Sequence, residues 1–132
     1  THQAENLDLP KGHGELILVV DDELAIREIT KILLKKYNYD VLTASDGMKA
    51  IALYAQHQDQ IAVVLMDMMM PSMDGSTTIR ALHKINPQLK IIATSGLVSN
   101  EKLAEARGVG ITAFLPKPYT AKELLESLEK LI

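Results

Sequence analysis

The stretch Leu16–Glu23 reads LILVVDDE. Its first five residues are apolar with no alternation of apolar and polar positions. Such a run fits a strand covered on both faces, as strands of a parallel sheet are. It ends abruptly on two carboxylates, Asp21 and Asp22. A strand of this kind needs helices above and below it, and the rest of the chain is expected to supply them.

Working outward, four more apolar runs follow: Tyr39–Ala44, Ile61–Met66, Lys90–Thr94 and Ile111–Leu115. Segments of helical period lie between and after them. Ile26, Ile29 and Leu33 recur at i, i+3 and i+7 and are expected to face the core, leaving Leu24, Ala25, Glu28 and Ile32 more exposed. Ile51 with Tyr54, and Ile79 with Leu82 and Ile85, repeat the pattern; Leu124, Leu125, Leu128, Leu131 and Ile132 form a last stripe. Asp22, Asp46, Asp74, Ser99 and Thr120 are the expected N-caps. Strands alternating with helices imply parallel pairing through right-handed crossovers. The expected fold is α/β, a doubly wound five-stranded parallel sheet of order 2-1-3-4-5. Residues 1–14 are polar, carry Pro10, Gly12 and Gly14, and read as a linker or flexible N-terminus; residues 15–132 read as one domain.

Composition sets bounds. The chain has 132 residues, 47% of them hydrophobic, enough for a packed core. A net charge of −3 argues against electrostatic gripping of nucleic acid. Without cysteine there is neither a disulfide nor a thiolate metal site, which fits a cytoplasmic location. No apolar run approaches the roughly 18 to 20 residues that span a bilayer, so no membrane insertion is expected.

In a parallel sheet all strand carboxyl ends lie on one rim, where open α/β sheets bind ligands. Asp21 and Asp22 follow the first run, Asp67 the third, Thr94 ends the fourth, and Lys117 stands just past the fifth. Neighbouring strands are roughly 5 Å apart, so these groups converge. Three carboxylates so close repel one another and need counter-charge. Lys117 supplies one, and a hard divalent cation held by oxygen ligands, Mg²⁺ in preference to Zn²⁺, supplies more. A carboxylate so placed is able to attack phosphorus and form an aspartyl phosphate. The methionines around Met66–Met70 read as packing residues, and His2, His13, His57 and His83 share no ligand spacing.

With these residues in view, the sequence resembles the response-regulator receiver family of two-component signalling. The matching stretches are LILVVDDE at 16–23, DMMMPSMDG at 67–75, ATSG at 93–96 and FLPKP at 114–118. The resemblance implies a flavodoxin-like (βα)5 fold and a receiver domain over residues 15–132. It implies a phosphorelay role in which Asp67 takes a phosphoryl group from a phosphohistidine partner, a histidine kinase or a histidine phosphotransfer protein. Asp22 and Asp67 are then direct Mg²⁺ ligands, Asp21 acts through water, and the Met69 carbonyl is a further ligand. Lys117 is expected to contact the phosphoryl group, through a Lys117–Pro118 bond that is commonly cis in the family. Thr94 is the hydroxyl that shifts toward the phosphate and Phe114 the aromatic that responds. Met69 departs from the polar residue common at that position, which bears on the lifetime of the phosphorylated state.

The chain is thus expected to be a signalling phosphoacceptor, not an enzyme acting on a separate substrate, and a monomer or weak dimer. Leu24, Ala25, Glu28 and Ile32 are the candidate docking residues for a helical partner. Leu9–Glu15 (LPKGHGE) is similar to the approach to receivers behind histidine-kinase catalytic domains. A receiver-like module that binds proteins without phosphorylation is the alternative. A haloacid-dehalogenase phosphatase is disfavoured because Met69 stands where its general-acid Asp belongs. A flavodoxin-type cofactor site is disfavoured because Asp21 and Asp22 repel phosphate.

Overall fold

A computed structural model of the chain describes residues 9–71, 73–96 and 99–132. Five strands run β1 (Leu16–Val20), β2 (Asp40–Ala44), β3 (Ile61–Asp67), β4 (Lys90–Ser95) and β5 (Ala113–Pro116). The helices between and after them are α1 (Leu24–Lys36), α2 (Gly47–His57), α3 (Gly75–Ile85), α4 (Asn100–Gly108) and α5 (Ala121–Leu131). The sheet is parallel, in the expected order β2-β1-β3-β4-β5.

The run Tyr39–Ala44 loses its first residue from the ladder and Ile61–Met66 and Lys90–Thr94 each gain one at the end. Ile111–Leu115 starts two residues late and ends one late. There Gly110 takes a left-handed φ of 93°, and the Ile111 N–H still donates to the Ala106 carbonyl, so the end of α4 delays β5.

Alternate residues of each strand feed two cores, one per face. Ile17, Val19, Val63, Leu65, Ile92 and Leu115 pack with Leu34 of α1 and Leu124, Leu125 and Leu128 of α5. Leu18, Val20, Val64, Met66 and Ile91 pack with Ala50 and Tyr54 of α2 and Ile79 and Leu82 of α3. The apolar runs lack alternation because both faces are covered.

Three expected caps hold. The Asp46 side chain accepts the Lys49 N–H, that of Asp74 the Thr77 N–H, and Thr120 forms a reciprocal capping box with Glu123. Ser99 precedes α4, and its carbonyl accepts the Leu103 N–H at 3.0 Å. Asp22 is a correction: the N-cap of α1 is Glu23, with no side-chain cap bond. The Asp21 carboxylate instead accepts the Glu23 N–H at 2.9 Å, which frees Asp22.

The face of α1 is a second correction. Thr30 and Leu34 are buried, while Ile29 is 64% exposed and Ile26 and Leu33 are half-buried. The helix is rolled so that Arg27 Nη1 reaches the Asp21 carbonyl at 2.7 Å. In α5 the stripe stops at Leu131, and Ile132 is exposed. Within 9–14, Leu9 packs against the core and Gly12 is buried, its N–H donating to the Tyr37 carbonyl at 2.8 Å.

Candidate phosphoacceptor site

The parallel register carries the acidic residues to one rim. Val20 of β1 pairs with Met66 of β3, so Asp21 follows one strand where Asp67 ends the next, and Asp67 pairs with Thr94 of β4. Asp21 and Asp67 are only 3% and 5% exposed, whereas Asp22 is open to solvent. One carboxylate oxygen from each of Asp21, Asp22 and Asp67 lies within 4.8 Å of the others.

Lys117 enters from the turn after β5. Its N–H donates to the Ser95 carbonyl at 2.9 Å, and the Lys117–Pro118 bond is cis. Its ammonium donates to Asp21 Oδ2 at 3.0 Å and stands 3.6 Å from Asp67 Oδ2. The Met69 N–H donates to Asp67 Oδ1 at 3.0 Å. Burial pushes the Asp67 carboxyl up to about 6. The Met69 bond and Lys117 pull it down, and the Asp21 and Asp22 charges push it further up. For Lys117, burial works against the charged form, but the Asp21 bond and the Asp67 and Asp21 charges prevail and hold its pKa above the ordinary value. An oxygen-only donor set with this excess of negative charge fits a hard divalent cation.

Thr94 is buried and its hydroxyl points to the Met66 carbonyl at 3.5 Å, a long contact that leaves it available. Phe114 is half-buried on β5 and faces a small cavity with Met68, Asp74, Ser76, Ser95 and Glu105. The structure thus brings Asp21, Asp22, Asp67, Thr94 and Lys117 together, with Met69 beside them and Phe114 outside the acidic cluster. Leu24, Ala25, Glu28 and Ile32 are all exposed on α1.

Sequence reasoning missed a groove. Ile26, Ile29 and Leu33 line an apolar depression of ≈ 780 Å³ with Pro118, Tyr119 and Ala121, and Lys117 lies at the same wall. Burial raises the Tyr119 phenol pKa there. The i, i+3, i+7 stripe on α1 was the visible signal; it marks the groove wall, and of its three residues Leu33 also packs against the core as expected.

The response regulator receiver domain family model matches residues 17–129. The chemotaxis protein CheY of Bacillus subtilis is 33% identical over 86% of this chain and 94% of that protein. Protein PilG of Pseudomonas aeruginosa is 38% identical over 90% of this chain and 88% of that protein. The sensor kinase CckA of Brucella abortus is 33% identical over 88% of this chain, which spans only 12% of that kinase. Among solved structures, Vibrio cholerae CheY4 superposes with a TM-score of 0.85 at 30% identity, covering 90% of this chain and 99% of that one. With a family match across nearly all its elements and relatives matched almost end to end, the chain belongs to the response regulator receiver domain family, whose members are the signalling phosphoacceptors of two-component systems.

Proposed function

We propose that Asp67 accepts a phosphoryl group from a phosphohistidine of a histidine kinase or histidine phosphotransfer protein. A carboxylate oxygen attacks phosphorus, the N–P bond breaks, and the imidazole leaves with its electron pair. The observation that carries the reading is the meeting of buried Asp67 with Asp21, Asp22 and Lys117. Asp22, Asp67 and the Met69 carbonyl are the residues that would hold Mg²⁺, with Asp21 acting through water. Bound there, the cation neutralises charge developing on the transferred oxygens. Lys117 donates to the same oxygens, and Thr94 gives up its long contact to join them.

Phosphorylation adds roughly −1.5 to −2 charges at neutral pH. Drawing Thr94 toward the phosphoryl group lets Phe114 turn inward, which biases a two-state equilibrium across α4, β5 and α5. The donor's helix docks on the α1 side, where Leu24, Ala25, Glu28 and Ile32 are exposed. Charge substitution at Leu24 and Ile32 slows transfer from the partner and spares small phosphodonors; equal losses with both would refute this docking. A cytoplasmic location follows from where such donors act.

The test of the main reading is incubation with Mg²⁺ and acetyl phosphate. The expected product carries the mass of one added phosphoryl group, depends on Mg²⁺, resists acid and is lost in base. Asp67→Asn should abolish it. An adduct that persists in Asp67→Asn, or none with the native chain, contradicts the proposal.

A further inference from the structure

Helix α4 is held differently from the other helices. Its sequence, NEKLAEARG, has no apolar stripe, and among its described residues only Ala106 is buried. By contrast α3 buries Ile79 and Leu82, and α5 buries Leu124, Leu125 and Leu128. A hydrogen bond stands in for apolar docking: Ser76 Oγ donates to Glu105 Oε1 at 3.0 Å. Ser76 is 3% exposed and lies in the first turn of α3, directly after the loop that leaves Asp67. The bond therefore ties α4 to the start of α3, which follows the acceptor loop.

The space under this bond is the cavity that Phe114 faces. It measures ≈ 20 Å³ and is bounded by Ser76, Glu105, Ser95, Met68 and Phe114. That is room for about one water molecule, not for a phenyl ring. Glu105 of α4 lines this space together with Phe114, so a ring turning into it would press on α4. We propose that the Ser76–Glu105 hydrogen bond is a latch that holds α4 in its resting position and opposes entry of Phe114. This rests on the phosphoacceptor reading and adds a regulating element to it. The latch sets the resting population: a charge-assisted bond made in only one of two states biases the equilibrium toward that state.

The experiment uses the full chain, with Ser76→Ala, Glu105→Ala, the double variant and Glu105→Gln, which keeps the acceptor. Two quantities are measured: amide hydrogen exchange across α4 without any phosphodonor, and affinity for beryllofluoride with Mg²⁺ as an acyl-phosphate mimic. Ser76→Ala and Glu105→Ala are each expected to speed α4 exchange and tighten beryllofluoride binding by roughly five-fold. The double variant should match Glu105→Ala, and Glu105→Gln, which keeps the acceptor but loses the charge, should fall between the native chain and Ser76→Ala. If the native chain binds and Ser76→Ala is indistinguishable from it in both measurements, the latch is overturned alone. If the native chain binds no beryllofluoride, the phosphoacceptor reading itself falls, and the latch with it.

Discussion

At the carboxyl end of the sheet, Asp21 and Asp67 are buried around one lysine, with Asp22 adding a third negative charge beside them. At the amino end the backbone closes on itself. The Gly12 and Gly14 N–H groups donate to the Tyr37 and Asn38 carbonyls at 2.8 Å each, and Asn38 Nδ2 returns a bond to the Gly12 carbonyl. Asn38 sits at a left-handed φ of 70°, a conformation that Asn tolerates better than most residues. One rim concentrates like charge and the other satisfies its polar groups locally. The same parallel sheet carries both, because strand direction alone decides which loops gather where. The charged rim gives up stability to hold a reactive group, as functional sites tend to.

That contrast is open to direct attack. The largest effect is expected at Asp67 in metal-free protein. Its folded pKa of about 6 lies above the ordinary 3.8, so between those values the folded state holds a proton that the unfolded state has released. Stability therefore falls as pH rises from about 4 to about 6 and levels off above, by roughly 2 to 3 kcal/mol in total. Asp67→Asn should remove that slope and be the more stable protein at pH 7, by roughly 2 kcal/mol. Urea unfolding at several pH values in the presence of a chelator checks this; an unchanged slope would show that the burial cost lies elsewhere.

Substitution at the amino rim should act in the opposite sense. A Cβ added to Gly12 would lie 2.4 Å from a Tyr39 ring carbon. Gly12→Val should therefore destabilise by about 1 to 3 kcal/mol through overpacking. It should leave acetyl-phosphate labelling at the far rim intact, because no site residue is touched. A smaller gain is expected from Mg²⁺ itself: at ten times its dissociation constant the native chain should gain about 1.4 kcal/mol by linkage. The accompanying rise in Tm should shrink in Asp22→Ala. An equal rise in both proteins would place the cation away from the acidic cluster.

Much of this was legible in the residues. The run Leu16–Val20 and its counterparts announce strands covered on both faces, and parallel pairing then obliges Asp21, Asp67, Thr94 and Lys117 to share a rim. The rotation of α1 was not legible, because two stripes compete there. Ile26, Ile29 and Leu33 carry more hydrophobicity, but Thr30 and Leu34 turn inward once Arg27 bonds the Asp21 carbonyl. Helix α4 offered no stripe to read, and its tie to Ser76 joins residues 29 positions apart. Likewise α1 starts from Glu23 without a side-chain cap, and the carboxylate of Asp21, which also binds Lys117, takes the Glu23 N–H in place of the expected cap at Asp22.

Locating the modified atom tests the central claim most directly. Protein labelled with acetyl phosphate and Mg²⁺ is reduced with borohydride, which converts an acyl-phosphorylated aspartate to homoserine, and is then mapped by peptide mass spectrometry. The account predicts homoserine at position 67 and nowhere else. Homoserine at position 21 or 22, or a phosphoryl group on a serine, threonine or histidine in place of it, would contradict the assignment of Asp67 as the nucleophile.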